Sequence, residues 1–404
     1  MVSDMTQPNI PTSRVVIVGG GVAGLEALLA LRALLDDRIN LTLVSPQDAF
    51  VDRPMSVAEP FGLSAPARHS LTEIADECDA EFVRAAVTGV DAAAHRVSCA
   101  DGTDLEYERL ILAGGAQTRP PFSDAITFGL EGSDRAIREM LDQLRSGEAH
   151  SAAFVAPTLT GWLLPLYELA LMTARELARS GVEGVQLNVH SAEERPLGLF
   201  GAEASQSVAR LLGAAGVGFV RAHFAKDSAG RLVYGAIGES RPDYVVTLPV
   251  LEGPALPGVP ATGPHGFIPV DEHGRVAGLA DVYAAGDAVD FPVKQGGLAA
   301  QQADAVAEHI AADHGAAIEP APFRPVLRGM VFTGDESHYM RSKVPGPDPH
   351  VADAWYPLWW PPTKVAGRYL APYLFGRVDE AGFAGSPIGF VDVDIPLSAV
   401  TLPG

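Results

Sequence analysis

The pattern of hydrophobic and small residues near the start of the chain predicts a buried strand followed by a helix. The run Val15–Val18 is apolar and β-branched, as in strands that are covered on both faces of a parallel sheet. Apolar residues then recur at helical spacing over Val22–Leu35. Between these segments, Gly19, Gly21 and Gly24 fit the pattern G-x-G-x-x-G. This order of strand, glycine turn and helix favours a dinucleotide-binding βαβ unit over a glycine-rich turn that binds nothing.

Each glycine of this motif has a physical task in such a unit. Gly19 permits a tight turn, Gly21 lets a pyrophosphate approach the backbone, and Gly24 lets the helix pack closely on the strand. The backbone N–H groups at the helix start, at Val22 and Ala23, then face the diphosphate. The motif predicts a dinucleotide and leaves its identity open.

The second predicted strand, Leu41–Ser45, ends without the acidic residue that often binds the adenosine ribose. Ser45 can make one hydrogen bond there but supplies no charge. Its presence weakens the case for NAD and excludes no dinucleotide. Arg53, in the loop that follows, has two interpretations of equal weight, as a diphosphate ligand or as a solvated surface arginine.

A period-two, β-branched pattern runs from Glu81 to Ala113 and predicts a small β-meander inserted after the first half of the unit. The pattern ends in Ala113, Gly114 and Gly115. Small residues at this point would let the backbone approach a cofactor, although a plain tight turn would use them too.

A second strand–loop–helix stretch begins near Ala152, and its loop contains only Gly161 where a second glycine motif would lie. The next predicted strand, Val185–Val189, ends at His190 and Ser191 without an acid in place. These features predict a degenerate NAD-type Rossmann domain and argue against a conventional NAD site in it.

The most specific local feature is a strand over Val282–Ala285 that ends in Gly286 and Asp287. Gly286 allows close approach, and Asp287 is placed to accept a hydrogen bond from a ribityl or ribose hydroxyl. The alternative is an ordinary strand–turn–helix corner in which Asp287 only caps the helix. The distant glycine motif favours the first interpretation.

A helix is predicted to begin at Gly296 or Gly297, and its N-terminus directs positive partial charge at whatever lies above it. The N1–C2=O edge of a flavin would lie over those N–H groups. Lys294, just before the helix, would add to this charge and stabilise an anionic reduced flavin. We therefore predict Lys294 as both a cofactor-binding and a catalytic residue.

Composition restricts the classes of function. With 404 residues, 47% of them hydrophobic, the chain fits a well-packed protein of two or three domains. Its net charge of -21 argues against nucleic acid and against electrostatic attachment to anionic lipid. The two cysteines, Cys78 and Cys99, fit core positions, and the scattered histidines suggest no metal site. We find no signal peptide and no run of apolar residues long enough to span a membrane, so we expect a cytoplasmic protein.

Together these motifs resemble the two-dinucleotide-domain pyridine nucleotide-disulfide oxidoreductases. The stretches that carry the resemblance are VVIVGGGVAGLEALLAL, FVDRPMSVAEPF, YERLILAGGA and VYAAGDAVDFPVKQGGLAAQQA. The resemblance extends over residues 14–315 and implies FAD at Gly19, Gly21, Gly24, Gly286 and Asp287. Within the family, PTLTGWLLPLYELAL resembles the sulfide:quinone reductase-like and type II NADH dehydrogenase branch. The cysteines that this branch uses for sulfide oxidation are missing.

The resemblance also implies an α/β fold with two glutathione reductase-type Rossmann domains, an inserted β-meander and a C-terminal cap. We expect a disordered leader at 1–13 and an FAD-binding domain built from 14–120 and 250–320. A degenerate NAD-type domain then spans 121–249, and a cap or interface region spans 321–404.

Glu168 is the main candidate for proton chemistry, because the family places a carboxylate near the flavin at the start of the same helix. A carboxyl group beside an apolar ring would have a raised pKa and could pass a proton to a quinone. The alternative is a solvent-facing glutamate near the helix N-terminus.

The C-terminal region concentrates aromatic residues together with Lys364 and Arg368. It could form a peripheral membrane anchor or a wall of a quinone site. The absence of an amphipathic period favours a packed cap or a homodimer contact. The aromatic residues are Trp355, Trp359, Trp360, Tyr369 and Tyr373.

The sequence thus predicts an FAD-dependent oxidoreductase that passes electrons to a quinone or another small acceptor, with an unnamed small-molecule donor. One alternative is an NAD(P)H dehydrogenase with a degenerate nicotinamide site. A second, from outside the enzymes, is a flavin-binding sensor or partner subunit that has lost catalysis.

Overall fold

A computed structural model describes residues 13–157, 161–222, 229–233, 241–334, 337–341, 352–354, 361 and 363–377. Apart from Ser13, the predicted leader lies outside the described residues, as do Trp355, Trp359 and Trp360.

Strands and helices are numbered here in chain order. The strands are β1 (Ser13–Val18), β2 (Ile39–Val44), β3 (Ala49–Val51), β4 (Arg68–Ser70), β5 (Ala80–Val83), β6 (Val87–Asp91), β7 (Arg96–Cys99), β8 (Asp104–Glu106), β9 (Arg109–Leu112), β10 (Gln117–Arg119), β11 (Ile126–Thr127), β12 (Ser151–Val155), β13 (Gln186–Ser191), β14 (Val217–Arg221), β15 (Tyr244–Thr247), β16 (Val250–Glu252), β17 (Val282–Ala284), β18 (Gly329–Phe332), β19 (Ser337–Arg341) and β20 (Ala352–Ala354). The α-helices are α1 (Val22–Leu35), α2 (Leu71–Glu77), α3 (Ser133–Ser146), α4 (Leu164–Arg179), α5 (Ala202–Ala214), α6 (Gly296–Asp313) and α7 (Leu370–Phe375).

The first sheet is parallel throughout and has the strand order β17-β9-β1-β2-β5. Its central strand, β1, is apolar because both faces of the sheet are covered, and Val15, Val16 and Ile17 are fully buried. Val15 and Ile17 belong to the buried cluster of α1 and α6, and Val16 to the cluster that contains Val97 of the antiparallel strand β7. The late strand β17 pairs with β9, so the chain returns to this sheet after building another one. All five carboxyl ends therefore lie on one edge, where ligands of open α/β sheets bind.

The second sheet is also parallel and has the order β11-β15-β12-β13-β14. Helices α4 and α5 connect β12, β13 and β14 in the manner of a Rossmann unit. Two parallel sheets with helical connections confirm the predicted α/β fold class. The domain boundaries at 120, 250 and 320 remain a prediction.

Short antiparallel sheets supplement the two large ones. Strands β6, β7 and β8 form the predicted meander, and β10 pairs with β16 where the chain passes between the two parallel sheets. The prediction that the whole period-two stretch from Glu81 forms the meander is wrong for the first part of that stretch. Glu81 lies in β5, which pairs with β2 in the first sheet. A four-residue strand is too short for its side-chain period to distinguish these placements.

Helices α1 and α6 pack against each other on one face of the first sheet. Ala23 of α1 lies so close to Gly286 that a Cβ on that glycine would be 2.9 Å from the Ala23 Cβ. Leu370 and Leu374 of α7 add to the same buried apolar cluster. Residues 363–377, called the C-terminal segment below, thus cover part of the first domain.

Among the helices of the described segments, none is both long and apolar enough to cross a lipid bilayer.

The packing of α1 predicts the cost of truncating its core face. Leu28→Ala should lower the free energy of unfolding by about 2–5 kcal/mol, because Leu28 is fully buried and its removal leaves a cavity. Leu29→Ala is the matched control, since Leu29 lies on the same helix and is only half-buried. Denaturant unfolding of both variants tests this, and equal losses would contradict the packing described.

Candidate functional site

The predicted cofactor residues meet at the carboxyl edge of the first sheet. Backbone hydrogen bonds extend the ladder just beyond each strand, from Gly19 N to Val44 O (2.8 Å) and from Ala113 N to Val18 O (2.7 Å). On the next strand, Ala285 N donates to Leu112 O (3.1 Å). The parallel register thereby brings the first glycine motif, the Ala113 turn and the Gly286 turn to the same side of the sheet.

Two glycines of the motif are required by packing. A Cβ on Gly24 would lie 1.8 Å from Gly19 O, so only glycine lets α1 approach the turn this closely. A Cβ on Gly19 would lie 2.2 Å from Ala113 O, and Gly19 also has a positive φ of 119°. These contacts agree with the predicted tasks of a tight turn and of close helix–strand packing.

Three other glycines border open space. A Cβ on Gly21, Gly114 or Gly115 would meet no atom within 4 Å. Gly21 and Gly114 are exposed. Packing within the described chain does not require these glycines, whereas a pyrophosphate on the α1 N-terminus would use this space. The open space therefore fits the predicted cradle for a dinucleotide, which stays a prediction.

Asp287 provides an acceptor at the same edge. Its carboxylate accepts no hydrogen bond within the described chain, and burial raises its pKa, with Lys294 and Arg53 opposing that shift. An enclosed carboxylate without a partner fits a ribityl or ribose hydroxyl, which would supply the missing donor. Gly286 positions this turn with a φ of 79° and donates its N–H to Gln302 Oε1 at 2.7 Å.

Arg53 is exposed on a 3₁₀ turn over Arg53–Phe61, and its charge acts on Asp287. This places Arg53 near the predicted cofactor edge while leaving its guanidinium accessible. The structure therefore keeps both of its interpretations, and its role as a diphosphate ligand stays a prediction.

Lys294 is buried and engaged with the protein. Its Nζ donates to Val289 O and lies 3.7 Å from the centroid of the Phe267 ring. Burial lowers the pKa of Lys294 to about 8, with Asp287 and Asp290 opposing that shift. These contacts do not test the predicted action of Lys294 on a flavin, which stays a prediction.

The start of α6 is capped by its own chain. Gln295 Oε1 accepts from Leu298 N at 2.9 Å, and Gly296 and Gly297 form the first turn. A Cβ on Gly296 would lie 3.1 Å from Val365 and 3.8 Å from Val22. The N-termini of α1 and α6 thus lie side by side, with the C-terminal segment against them.

Ser45 is buried, and its hydroxyl is hydrogen-bonded to the nearby Gln47. Its hydroxyl donates to Gln47 Oε1 at 3.2 Å and accepts from Gln47 N at 3.2 Å. A Cβ on Gly20 would lie 3.2 Å from the same oxygen. Ser45 therefore shapes the turn, and its predicted hydrogen bond to a ribose would need this arrangement to change.

Glu168 forms an ion pair in the interior. Its Oε1 accepts from Lys364 Nζ at 2.6 Å and from Phe332 N at 2.7 Å. The Glu168 side chain is 0% exposed and that of Lys364 is 6% exposed. Among the residues that the structure describes, its second oxygen, Oε2, is buried without a hydrogen-bond partner. Burial raises the pKa of Glu168, and the Lys364 ammonium partly offsets that shift.

This geometry corrects two expectations about single residues. The alternative in which Glu168 faces solvent is wrong. Its helix, α4, lies between β18 and the second sheet, and its side chain is buried there. Lys364, considered as part of a membrane anchor, instead directs its ammonium inward. Sequence reasoning missed this pairing because 196 residues separate the two partners.

Tyr167, Ser191 and Glu193 form a hydrogen-bonded polar cluster at the carboxyl end of β13 in the second sheet. Tyr167 OH donates to Glu193 Oε2 at 2.5 Å, and Ser191 Oγ donates to the same oxygen at 3.0 Å. Glu193 follows β13 by two residues, near the position at which an NAD site has its ribose-binding acid. Its carboxylate accepts hydrogen bonds from two protein hydroxyls, and the predicted lack of a conventional NAD site stays a prediction.

The comparison with known proteins agrees with this geometry. Residues 13–156 match the family model described as pyridine nucleotide-disulphide oxidoreductase. This part of the chain is similar to that family. The predicted resemblance is thereby confirmed, and so, at the level of the family, are the oxidoreductase class and the FAD cofactor.

Individual relatives match over parts of their length. Sulfide-quinone reductase of Aquifex aeolicus (strain VF5) is 26% identical over 204 residues, which are 46% of this chain and 44% of that protein. An NADH dehydrogenase-like protein of Mycobacterium tuberculosis (strain ATCC 25618 / H37Rv) is 32% identical over 151 residues, 35% of this chain and 37% of that protein. The chain thus spans less than half the length of these relatives.

Among solved structures, the sulfide:quinone oxidoreductase of Aquifex aeolicus superimposes with a TM-score of 0.70 at 19% identity. The superposition covers 82% of this chain and 83% of that one. At this identity the likeness shows the fold, which extends beyond the region matched in sequence.

The two kinds of glycine predict different effects of the same substitution. Gly24→Ala should destabilise the fold by about 3 kcal/mol, because its Cβ would overlap Gly19 O. Gly21→Ala should leave the melting temperature of the cofactor-free protein unchanged and weaken cofactor binding, because its methyl would fill the space that a pyrophosphate needs. Thermal melts with and without FAD distinguish the two. A Gly21 variant that binds FAD normally would contradict the cradle.

Asp287→Ala should weaken FAD binding by about 2 kcal/mol, the scale of a hydrogen bond to a charged acceptor. That loss corresponds to roughly a thirtyfold increase in Kd. Asp290→Ala is the matched control, since Asp290 lies three residues on and is exposed. Titration of the cofactor-free proteins with FAD, followed by flavin fluorescence, measures both. Equal Kd values for Asp287→Ala and the unmodified protein would remove the role assigned to Asp287.

Proposed function

We propose that the chain is an FAD-dependent oxidoreductase that passes two electrons from a small donor, by way of its flavin, to a quinone. The observation that carries this proposal is the buried Glu168–Lys364 pair, whose unpartnered oxygen can hold a proton. Similarity to sulfide-quinone reductase of Aquifex aeolicus supports the choice of acceptor.

A chain of contacts connects this pair to the cofactor edge. Lys364 is followed by Val365, which lies against Gly296 at the start of α6. The charge of Lys364 also acts on Asp52, the neighbour of Arg53, and Arg53 in turn acts on Asp287. The Glu168–Lys364 pair therefore lies on the side of the first sheet where FAD would bind.

The residues of the pair match what quinone reduction requires. FAD, when bound, supplies two-electron transfer between small molecules. A quinone that gains two electrons must also gain two protons to leave as the quinol, and one of these protons would arrive with the electron pair as hydride. Glu168 Oε2 can donate the other from the acid form that burial favours. Lys364 can compensate the charge that remains on Glu168 after this transfer.

The donor need not use a cysteine relay. Cys78 and Cys99 are buried, and they are the two cysteines of the sequence. Burial raises the pKa of Cys78 to about 11 and raises that of Cys99 as well, so neither thiol is ready to react as a thiolate. Oxidation of sulfide through cysteine persulfides is therefore not part of the proposal.

The NAD(P)H alternative conflicts with a specific feature. Glu193 is held by Tyr167 and Ser191, and burial raises its pKa. An adenosine ribose would have to compete with the phenol for this carboxylate. This arrangement favours a donor other than a nicotinamide.

Anaerobic stopped-flow spectroscopy tests the proposal in its two halves. The FAD-loaded protein is first mixed with sulfide, NADH, NADPH and other small donors, and loss of the flavin band identifies reduction. The reduced protein is then mixed with a soluble quinone, and rapid return of the band is expected. Failure of the quinone to reoxidise the flavin would overturn the proposal. Fast bleaching by NADH or NADPH would favour the nicotinamide alternative, and inertness in both halves would favour a sensor or partner subunit.

Glu168→Gln should slow reoxidation by quinone by about 100-fold, because the amide cannot donate an acidic proton. Reduction by the donor should not change. In the unmodified protein the rate should fall as pH rises through the raised pKa of Glu168, whereas the variant should lose this dependence. Glu176→Gln, on the same helix at the surface pair with Arg145, is the matched control. A variant with the unmodified rate and pH profile would exclude proton donation by Glu168.

A further inference from the structure

A second buried carboxyl group lies outside the site described so far. Glu26, on the inner face of α1, is 0% exposed. Its Oε1 accepts from Tyr369 N at 2.7 Å, and its Oε2 accepts from Leu370 N at 2.8 Å. Gly367 approaches so closely that a Cβ there would lie 2.3 Å from Glu26 Oε2. The C-terminal segment therefore turns around a carboxylate that belongs to the first domain.

Another carboxyl group faces Glu26 from α6. Asp304 lies close enough to Glu26 for the charge of Glu26 to raise its pKa, and its Oδ1 is buried without a hydrogen-bond partner among the described residues. Two carboxyl groups can share a hydrogen bond only if one of them holds a proton. The backbone N–H groups that point at Glu26 favour its anion, so the proton resides on Asp304. Burial and the charge of Glu26 raise the pKa of Asp304 to about 8.

The charged groups around this pair come from two elements. Arg368, on the C-terminal segment, donates to Glu308 Oε1 of α6 at 2.8 Å. Its guanidinium lies 5.3 Å from the ring centroid of Tyr369. Arg368 favours ionisation of Asp304, whereas Glu308 and Glu26 oppose it. Since Glu308 is already paired with Arg368, Glu26 is the acid whose charge Asp304 must accommodate.

The same segment carries Lys364. Only two residues separate Lys364 from Gly367, and both of them, Val365 and Ala366, are buried. The hydrogen bonds to Glu26 thus hold the chain next to Lys364 on the first domain. They fix the place from which Lys364 reaches Glu168 in α4.

We propose that Glu26 and Asp304 form a proton-sharing anchor that docks the C-terminal segment and positions Lys364 against Glu168. Glu26 and Asp304 are positioning residues, since they act on the Glu168 pair through the segment. The importance of Lys364 for quinone reduction rests on the proposed function, whereas the docking of the segment does not.

The anchor makes docking depend on pH with a defined sign. Burial and the charge of Glu26 raise the pKa of Asp304 from its ordinary value of 3.8 to about 8, against the opposing charge of Arg368. We expect release of the segment to admit water to the pair and to lower this pKa. Docking is therefore strongest where Glu26 is ionised and Asp304 still holds its proton, and it weakens as pH rises toward about 8, above which both carboxylates are charged and repel. Between about pH 7 and about pH 9, linkage predicts a tenfold loss in the docking constant, while further increases change little.

Hydrogen–deuterium exchange of the FAD-loaded protein tests the anchor without use of an electron acceptor. We expect protection of the peptide 365–375, corrected for intrinsic exchange, to fall about tenfold between those two pH values in the unmodified chain. Asp304→Asn keeps a donor toward Glu26 and cannot titrate, so its protection should stay high at both. Glu26→Gln should be unprotected at both. Glu77→Gln, which affects the exposed contacts to Tyr373 and Arg377, should behave as the unmodified chain does.

Gly367→Ala provides an independent test if the Asp304 variant fails to fold. It changes no charge, and its methyl would overlap Glu26 Oε2, so the peptide should lose protection at both pH values. Protection that does not change with pH in the unmodified chain would overturn the anchor, as would normal protection in Glu26→Gln or Gly367→Ala. The expected exchange pattern in a protein that fails to reduce quinones would reject the proposed function and retain the anchor.

Discussion

The close approach of α1 to the turn after β1 is the constraint on which the rest of the structure depends. Gly24 permits it, because any side chain there would overlap the carbonyl oxygen of Gly19. Gly286 permits a second close approach, because the turn after β17 contacts Ala23 of α1 at this glycine. The two helix N-termini therefore meet at one sheet edge. The glycines left open there, together with the unpartnered carboxylate of Asp287, are the features by which we expect that edge to hold a dinucleotide.

Buried charges then connect parts of the chain that are distant in sequence. Glu168 and Lys364 join α4 to the C-terminal segment, and Glu26 joins that segment to α1. Burial of a charge costs several kcal/mol unless it is paired and hydrogen-bonded, so such groups rarely persist for stability alone. Here burial also raises the pKa of Glu168, and the Glu168–Lys364 pair lies beside a predicted redox centre. Packing and proton chemistry are thus combined in the same side chains.

The sequence was informative where chemistry depends on local spacing. The glycine motif, the Gly286–Asp287 turn and the missing second motif each lie within one strand–turn–helix unit, and their prediction required only that unit. The partners of Glu168 could not be predicted, since Lys364 and Phe332 approach it from the other end of the chain. The same holds for Glu26, which appeared only as one position in an apolar helix. Long-range pairs leave no periodic trace in a single sequence.

Identification of the cofactor released from the purified protein tests the central claim most directly. Heat denaturation followed by chromatography separates FAD from other flavins and nucleotides, and absorbance gives the amount per chain. The account predicts FAD at about one molecule per chain, as expected for a single site that fixes one cofactor. A purified protein that releases no flavin and takes up none when FAD is supplied would contradict it, as would a flavin without the adenine nucleotide.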